Sequence, residues 1–210
     1  MTIRNWIIVI LINLGAVLLT ISPFLPGPPN GLVILFYNAG QILGLLGIMA
    51  IPIGIIWTIK ELKEKINDKE FQIDIKAIIL FTLPVTLLLT SIYISGHLRN
   101  FSREFAINRT ESLIQSIEEY KVSKGQYPSS FTDLTPEFIN EIPSPYIMGI
   151  DDFYYEKLDD AYNISFHQNV ILSFNFEVVI FDPTDNHKTE GELDDLYYTG
   201  KSHWRYYIYD

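Results

Sequence analysis

The sequence predicts an α+β protein in which a three-helix membrane region (residues 1–96) precedes a water-exposed domain (residues 97–210) made of one long helix and a small antiparallel sheet. Three observations predict it. Three apolar runs, each close to or above the ~20 residues that cross a hydrocarbon layer, all end before residue 96. From His97 onward there are 20 Asp and Glu against 9 Lys and Arg, a balance of −11, whereas residues 1–96 carry +1. Beyond residue 98 a helical rhythm gives way, after Asp151, to β-branched and aromatic runs.

The first span is placed at about 6–25, interrupted only by Asn13 and a few hydroxyl residues. Its apolar core is longer than a signal-peptide core and no small-x-small site follows, so it reads as a retained span. The uncharged turn Pro26-Gly27-Pro28-Pro29-Asn30-Gly31 joins it to a second span at about 32–59, long enough to need tilt or a kink at Pro52. The third span, about 77–95, contains Pro84. Gly40 and Gly44 form a GxxxG whose expected use is close packing within the bundle rather than a dimer face. No Asp, Glu, Lys, Arg or His lies inside a span, which argues against an ion or proton pathway.

Basic residues set the orientation. Arg4 precedes the first span, and Lys60, Lys63, Lys65, Lys69 and Lys76 fall in the connector between the second and third. The positive-inside rule puts both segments in the cytoplasm and residues 97–210 outside it, against the opposing pull of Arg99 and Arg103. Trp6 and Trp57 are then expected at the cytoplasmic interface and Tyr93 at the outer one. The connector KELKEKINDKEFQIDIK reads as a solvated surface helix.

In the second half, Leu98, Phe101, Phe105, Leu113, Ile117 and Tyr120 predict a helix continuous with the third span and capped by Gly125. Thr135-Pro136-Glu137 reads as a further helix start. Strands are expected at 153–155, 162–166, 170–176, 178–181 and 204–209, with 182–195 as an acidic loop. In the last strand Trp204, Tyr206 and Ile208 face one side, Tyr207 and Tyr209 the other.

Tyr120, Gly125, Tyr127, Pro128, Ser130, Leu134, Pro143 and Pro145, followed by the rhythm Phe153-x-Tyr155 and Tyr162-x-Ile164-x-Phe166, resemble the pilin-like domain of type II secretion major pseudopilins over roughly residues 97–170. The resemblance implies a membrane-anchored spine helix carrying a small sheet. Phe81-Thr82-Leu83 lacks the glycine and glutamate of pilin-like processing sites, and two extra spans precede it, so processing and fibre assembly are not expected. Fold alone does not give function.

The acidic loop is the best ligand site in the chain. Asp182, Asp185, Asn186, Glu190 and Glu192 supply the oxygens that a hard cation takes, so calcium is the candidate ligand, without EF-hand spacing and with a plain solvated loop as the alternative. Pseudopilins, which the domain resembles, hold calcium in a C-terminal loop. No cofactor motif, nucleophile elbow or P-loop is present, and His97, His167, His187 and His203 show no paired metal spacing. The absence of cysteine removes disulfides and thiolate chemistry. An acidic domain without a basic block excludes nucleic acid as a partner. The expected protein is non-enzymatic and sits in a bacterial inner (plasma) membrane, N-terminus cytoplasmic. Its expected partners are the lipid bilayer and other envelope proteins; the alternative is a cation- or ligand-responsive sensor using the loop.

Overall fold

The computed structural model describes residues 2–65, 75–190 and 195–210. The middle of the charged connector, with Lys69, lies outside them, as does the side chain of Trp57. The chain divides into two compact units: Met1–Ser22 with Leu35–Ser95, and Pro23–Ile34 with Gly96–Asp210. The sheet domain thus includes a piece of the membrane half, the turn between the first two spans.

The first unit holds three helices long and apolar enough to cross a membrane. They are α1 (Ile3–Ile21), α2 (Gly31–Lys65) and α3 (Ile75–Leu88), the last running on through a π-helical turn, Leu89–Ile94. Pro52 and Pro84 lie inside helices rather than ending them. Four glycines of α2 lie tightly against neighbouring helices, two of them closer than any side chain allows. A Cβ at Gly47 would lie 2.3 Å from Pro84, one at Gly40 2.8 Å from Thr20, and one at Gly44 3.1 Å from the Leu88 nitrogen. Gly40 and Gly44 therefore serve packing inside the bundle, and Gly47 and Gly54 extend the same seam.

Polar side chains in this bundle bond to one another, as low-dielectric surroundings require. Asn13 Nδ2 donates to Thr82 Oγ1 (3.1 Å) and Thr86 Oγ1 donates to Asn13 Oδ1 (2.7 Å). Thr20 donates to Thr90 (2.8 Å). The π turn shifts the backbone register, and the Ser91 carbonyl there accepts from the Tyr37 hydroxyl (3.0 Å), Gln41 (3.4 Å) and Ser95 (2.6 Å). Bonds of this kind average about 0.6 kcal/mol within membranes, so they fix helix register more than they stabilise.

In the second unit the helix expected to end at Gly125 is present but broken. It comprises α4 (Ser95–Arg109) and α5 (Glu111–Lys124), with Thr110 between them bonding its hydroxyl to Ile107 O (2.7 Å). The break falls in the eight-residue gap between Phe105 and Leu113 where the apolar rhythm lapses. Gly125 caps α5 at φ 78°, a left-handed position suited to glycine. The next helical turn is Phe131–Leu134, capped by Ser130 and Asp133, so the expected start at Thr135 is corrected: Thr135 ends that turn. The Ser130/Asp133 capping box lies one turn earlier than the Thr-Pro pair and wins.

Five strands, β1 (Tyr154–Lys157), β2 (Tyr162–Ile171), β3 (Asn175–Phe181), β4 (Tyr197–Tyr198) and β5 (Trp204–Tyr209), form one antiparallel sheet in the order β1-β2-β3-β5-β4. The expected separate strand 170–176 does not exist. β2 runs to Ile171 and the chain reverses through Leu172 (φ 50°) and Ser173 (φ 55°), with Phe174 N bonded to Ile171 O (2.9 Å). Two central residues at positive φ make this a primed hairpin turn, which ordinarily uses Asn-Gly. Leucine there costs roughly 1–2 kcal/mol, and nothing in VILSFNF announces a turn.

One face of the sheet packs on α4 and α5. Leu113, Ile117, Leu134, Tyr162, Ile164, Phe166, Val179 and Trp204 are among the buried core. The residues that carry the resemblance have defined places in it. Tyr127 packs on Tyr162 (ring centroids 4.9 Å apart), Tyr155 donates to Pro128 O (2.8 Å), and Tyr162 donates to Glu118 (3.0 Å). Burial, with Glu118 close by, raises the Tyr162 pKa well above its ordinary value. Trp204 faces this core and Tyr207 the opposite side, as alternation requires.

The turn between the spans docks on the sheet domain through its backbone. Gly27 N donates to Tyr146 O (3.0 Å), Met148 N to Leu25 O (3.0 Å), Asn30 N to Met148 O (2.9 Å) and Gly149 N to Pro23 O (2.8 Å). Pro26 and Ile147 form the bridge between the two segments. Phe24 and Ile147 are fully enclosed beside it.

Candidate functional site

The acidic loop leaves β3 at its end. Asp182 is buried, and its Oδ1 accepts from Thr184 N and Thr184 Oγ1, both at 2.7 Å. Its own N–H donates to His203 O (3.0 Å), fixing the loop to the start of β5. Asp185, at φ 57°, places Oδ2 3.1 Å from His203 Nδ1, and His187 Nε2 lies 3.0 Å from His203 O. Asn186 is exposed. Glu190 lies elsewhere, near Tyr207 and His167, whose ionisation it influences. The pair Val178–Tyr207 is three residues along the ladder from Phe181–Trp204, so the Tyr207 position lies about 10 Å along the strand from the Asp182 end. Glu192 lies outside the described residues. The loop therefore brings Asp182 and Asp185 together at one end of the sheet and sets Glu190 apart. Among the described residues no three His, Asp or Glu side chains converge as a metal site would need.

The strongest electrostatic feature of the sheet domain lies on the helix-facing side of the sheet, against α4. Arg103 of α4 forks onto Glu177 of β3, Nε to Oε1 and Nη2 to Oε2, both 2.7 Å. Gln168 of β2 donates to the same carboxylate (2.7 Å) and to Arg99 O (3.2 Å), and accepts from Ser102. Arg99 Nε stands 3.5 Å from Glu177, and the Arg103 guanidinium lies 3.7 Å over the Tyr206 ring. Glu177 is 1% exposed and Arg103 7%. Burial works against the Arg103 charge, but the Glu177 hydrogen bond and attraction outweigh it and raise its pKa. A polar groove of about 390 Å³ opens beside the pair, bounded by Asn100, Glu104, Tyr198, Lys201 and Tyr206.

No family model, curated protein or solved structure matches this chain.

The outward face of the sheet carries a diagonal row of rings, Tyr154, His167, Phe176 and Tyr209, with successive centroids 5.1, 5.4 and 4.8 Å apart. Desolvation beside Tyr154 and Phe176 pushes the His167 pKa below its ordinary value, and Glu190 opposes the shift. Chemically, the domain offers a buried ion pair that locks helix to sheet, an acidic loop tied to β5, and exposed tyrosines on the short edge strand β4. Glu177 and Gln168 were not singled out by sequence reasoning, and Arg103 entered it only as a charge opposing the orientation. The only signal was a glutamate in an otherwise apolar strand, FNFEVVIF, which demands a buried partner.

Proposed function

We propose that this is a non-enzymatic integral membrane protein that presents a pilin-like domain outside the cytoplasm, in a bacterial inner membrane, for interaction with other envelope proteins. The observation that carries the reading is the helical segment Ile75–Lys124: its first part is apolar enough to span and its second part is the spine on which the sheet packs. That is the mode of anchoring the resemblance implies. The orientation rests on Arg4 and the connector lysines, which outnumber Arg99 and Arg103 beyond the third span.

Exposed Tyr197 and Tyr198 on the two-residue edge strand β4 are the natural contact for a protein partner, since tyrosine is enriched at interfaces and edge strands template pairing. A photo-crosslinking residue at Tyr198 in living cells should give discrete higher-mass adducts of this protein, and one at Lys157 on the opposite edge should not. Equal yields at both positions, or none, would count against the reading. The sensor alternative is separated by calorimetric titration of the full chain with calcium. The interaction reading expects no binding heat and no shift in melting temperature, whereas a saturable heat lost in Asp182→Asn would establish the alternative.

A further inference from the structure

The β2–β3 hairpin ends in an apolar tip held in an unfavourable conformation. Leu172 and Ser173 both sit at positive φ, and Ile171 and Phe174 flank them exposed, Phe174 at 76%. From Ala161 to Phe176 there is no Asp, Glu, Lys or Arg, within a domain whose balance is −11. A soluble domain gains nothing from leucine at a position that suits Asn or Gly, beside a phenylalanine in water.

The fold fixes which way this tip points. Tyr162, at the start of β2, bonds to Glu118 of α5, and Gln168, near its end, bonds to Arg99 O of α4. The strand therefore runs back along the spine toward its N-terminal end. Leu172 lies four residues past Gln168, ~13 Å further at strand rise. Arg99 is only three residues from Gly96, ~4.5 Å at helical rise. The tip reaches past the first residues of the spine. A second marker agrees: Ser173 and Phe176 line a cavity of about 260 Å³ together with Ile34 and Gly149. Ile34 belongs to the first turn of α2, where the second span begins, and Gly149 belongs to the segment on which the inter-span turn docks. Hairpin tip, docked turn and span entry share one end of the domain.

We infer that the β2–β3 tip is a membrane-insertion element: Leu172 and Phe174 enter the interfacial layer of the same bilayer that holds the spans. The occupant is lipid because the tip is continuous with the segment where α2 enters the bilayer, and because an uncharged apolar turn suits acyl chains and not a polar surface.

The chain has no cysteine, so a single nitroxide can be placed without altering the background. Full-length Phe174→Cys and Leu172→Cys, spin-labelled in phosphatidylcholine bilayers, should collide several-fold more with oxygen than with a water-soluble nickel chelate. Val122→Cys, at an 86% exposed position on α5, should show the reverse. An aqueous profile at both 172 and 174, matching that at 122, would overturn the inference, including the case in which the tip serves a protein partner instead.

Discussion

Glu177→Gln is expected to destabilise the sheet domain by about 3–5 kcal/mol, the cost of leaving a buried charge without its partner. The loss is large because Glu177 answers several groups at once. It takes the Arg103 fork, the Gln168 amide and the approach of Arg99. Glutamine retains the shape but offers one acceptor oxygen and puts an amide beside two guanidinium groups. The pair itself is not a strong source of stability, since desolvation offsets much of its attraction. The double substitution Arg103→Met with Glu177→Met is therefore expected to recover most of the loss. Urea unfolding of the full chain in detergent, followed through the buried Trp204 indole, checks both statements. A Glu177→Gln midpoint equal to wild type would refute the account of the network.

Gly149→Val carries the second large effect. A Cβ at this position would sit 2.6 Å from Pro23 O, 2.7 Å from Pro23 Cβ and 3.0 Å from its Cα. Backbone cannot yield as a side chain can, so the docked turn must move and lose the bonds Gly149–Pro23 and Met148–Leu25. Overpacking of this kind costs about 1–3 kcal/mol, and each 1.4 kcal/mol is about tenfold in an opening equilibrium. Hydrogen exchange of the Gly27, Asn30 and Met148 amides should quicken accordingly. Gly27→Ala should be milder, because the atoms its Cβ meets belong to the flexible Met148 side chain. Unchanged protection in Gly149→Val would mean that the turn is not held there.

The parts of this fold that were legible in the sequence are those set by local composition. Apolar length marks the spans, Gly125 marks the end of the spine, and Tyr162-x-Ile164-x-Phe166 marks a half-buried strand. The hairpin turn was not legible because Leu172-Ser173 lacks turn chemistry, so its apolar run read as strand. The ion network was not legible because Arg103 and Glu177 are 74 residues apart and only the antiparallel packing of spine and sheet brings them together. Docking of Pro23–Ile34 was hidden for a similar reason: backbone hydrogen bonds leave no mark in residue type beyond the glycines that permit close approach. In the acidic loop the carboxylates are close in sequence, yet Asp182 is occupied by Thr184 and Glu190 lies beside Tyr207. Proximity along the chain became proximity in space for Asp182 and Asp185 but not for Glu190.

The central claim is that the sheet domain and the inter-span turn docked on it stand on one side of the membrane and the charged connector on the other, with the sheet domain outside. Alkaline phosphatase, which folds to an active enzyme only outside the cytoplasm, tests it most directly when fused in a bacterial host after Asp210 and, separately, after Lys69. The account predicts high activity for the first fusion and none for the second. An inactive fusion after Asp210 with an active one after Lys69 would contradict it.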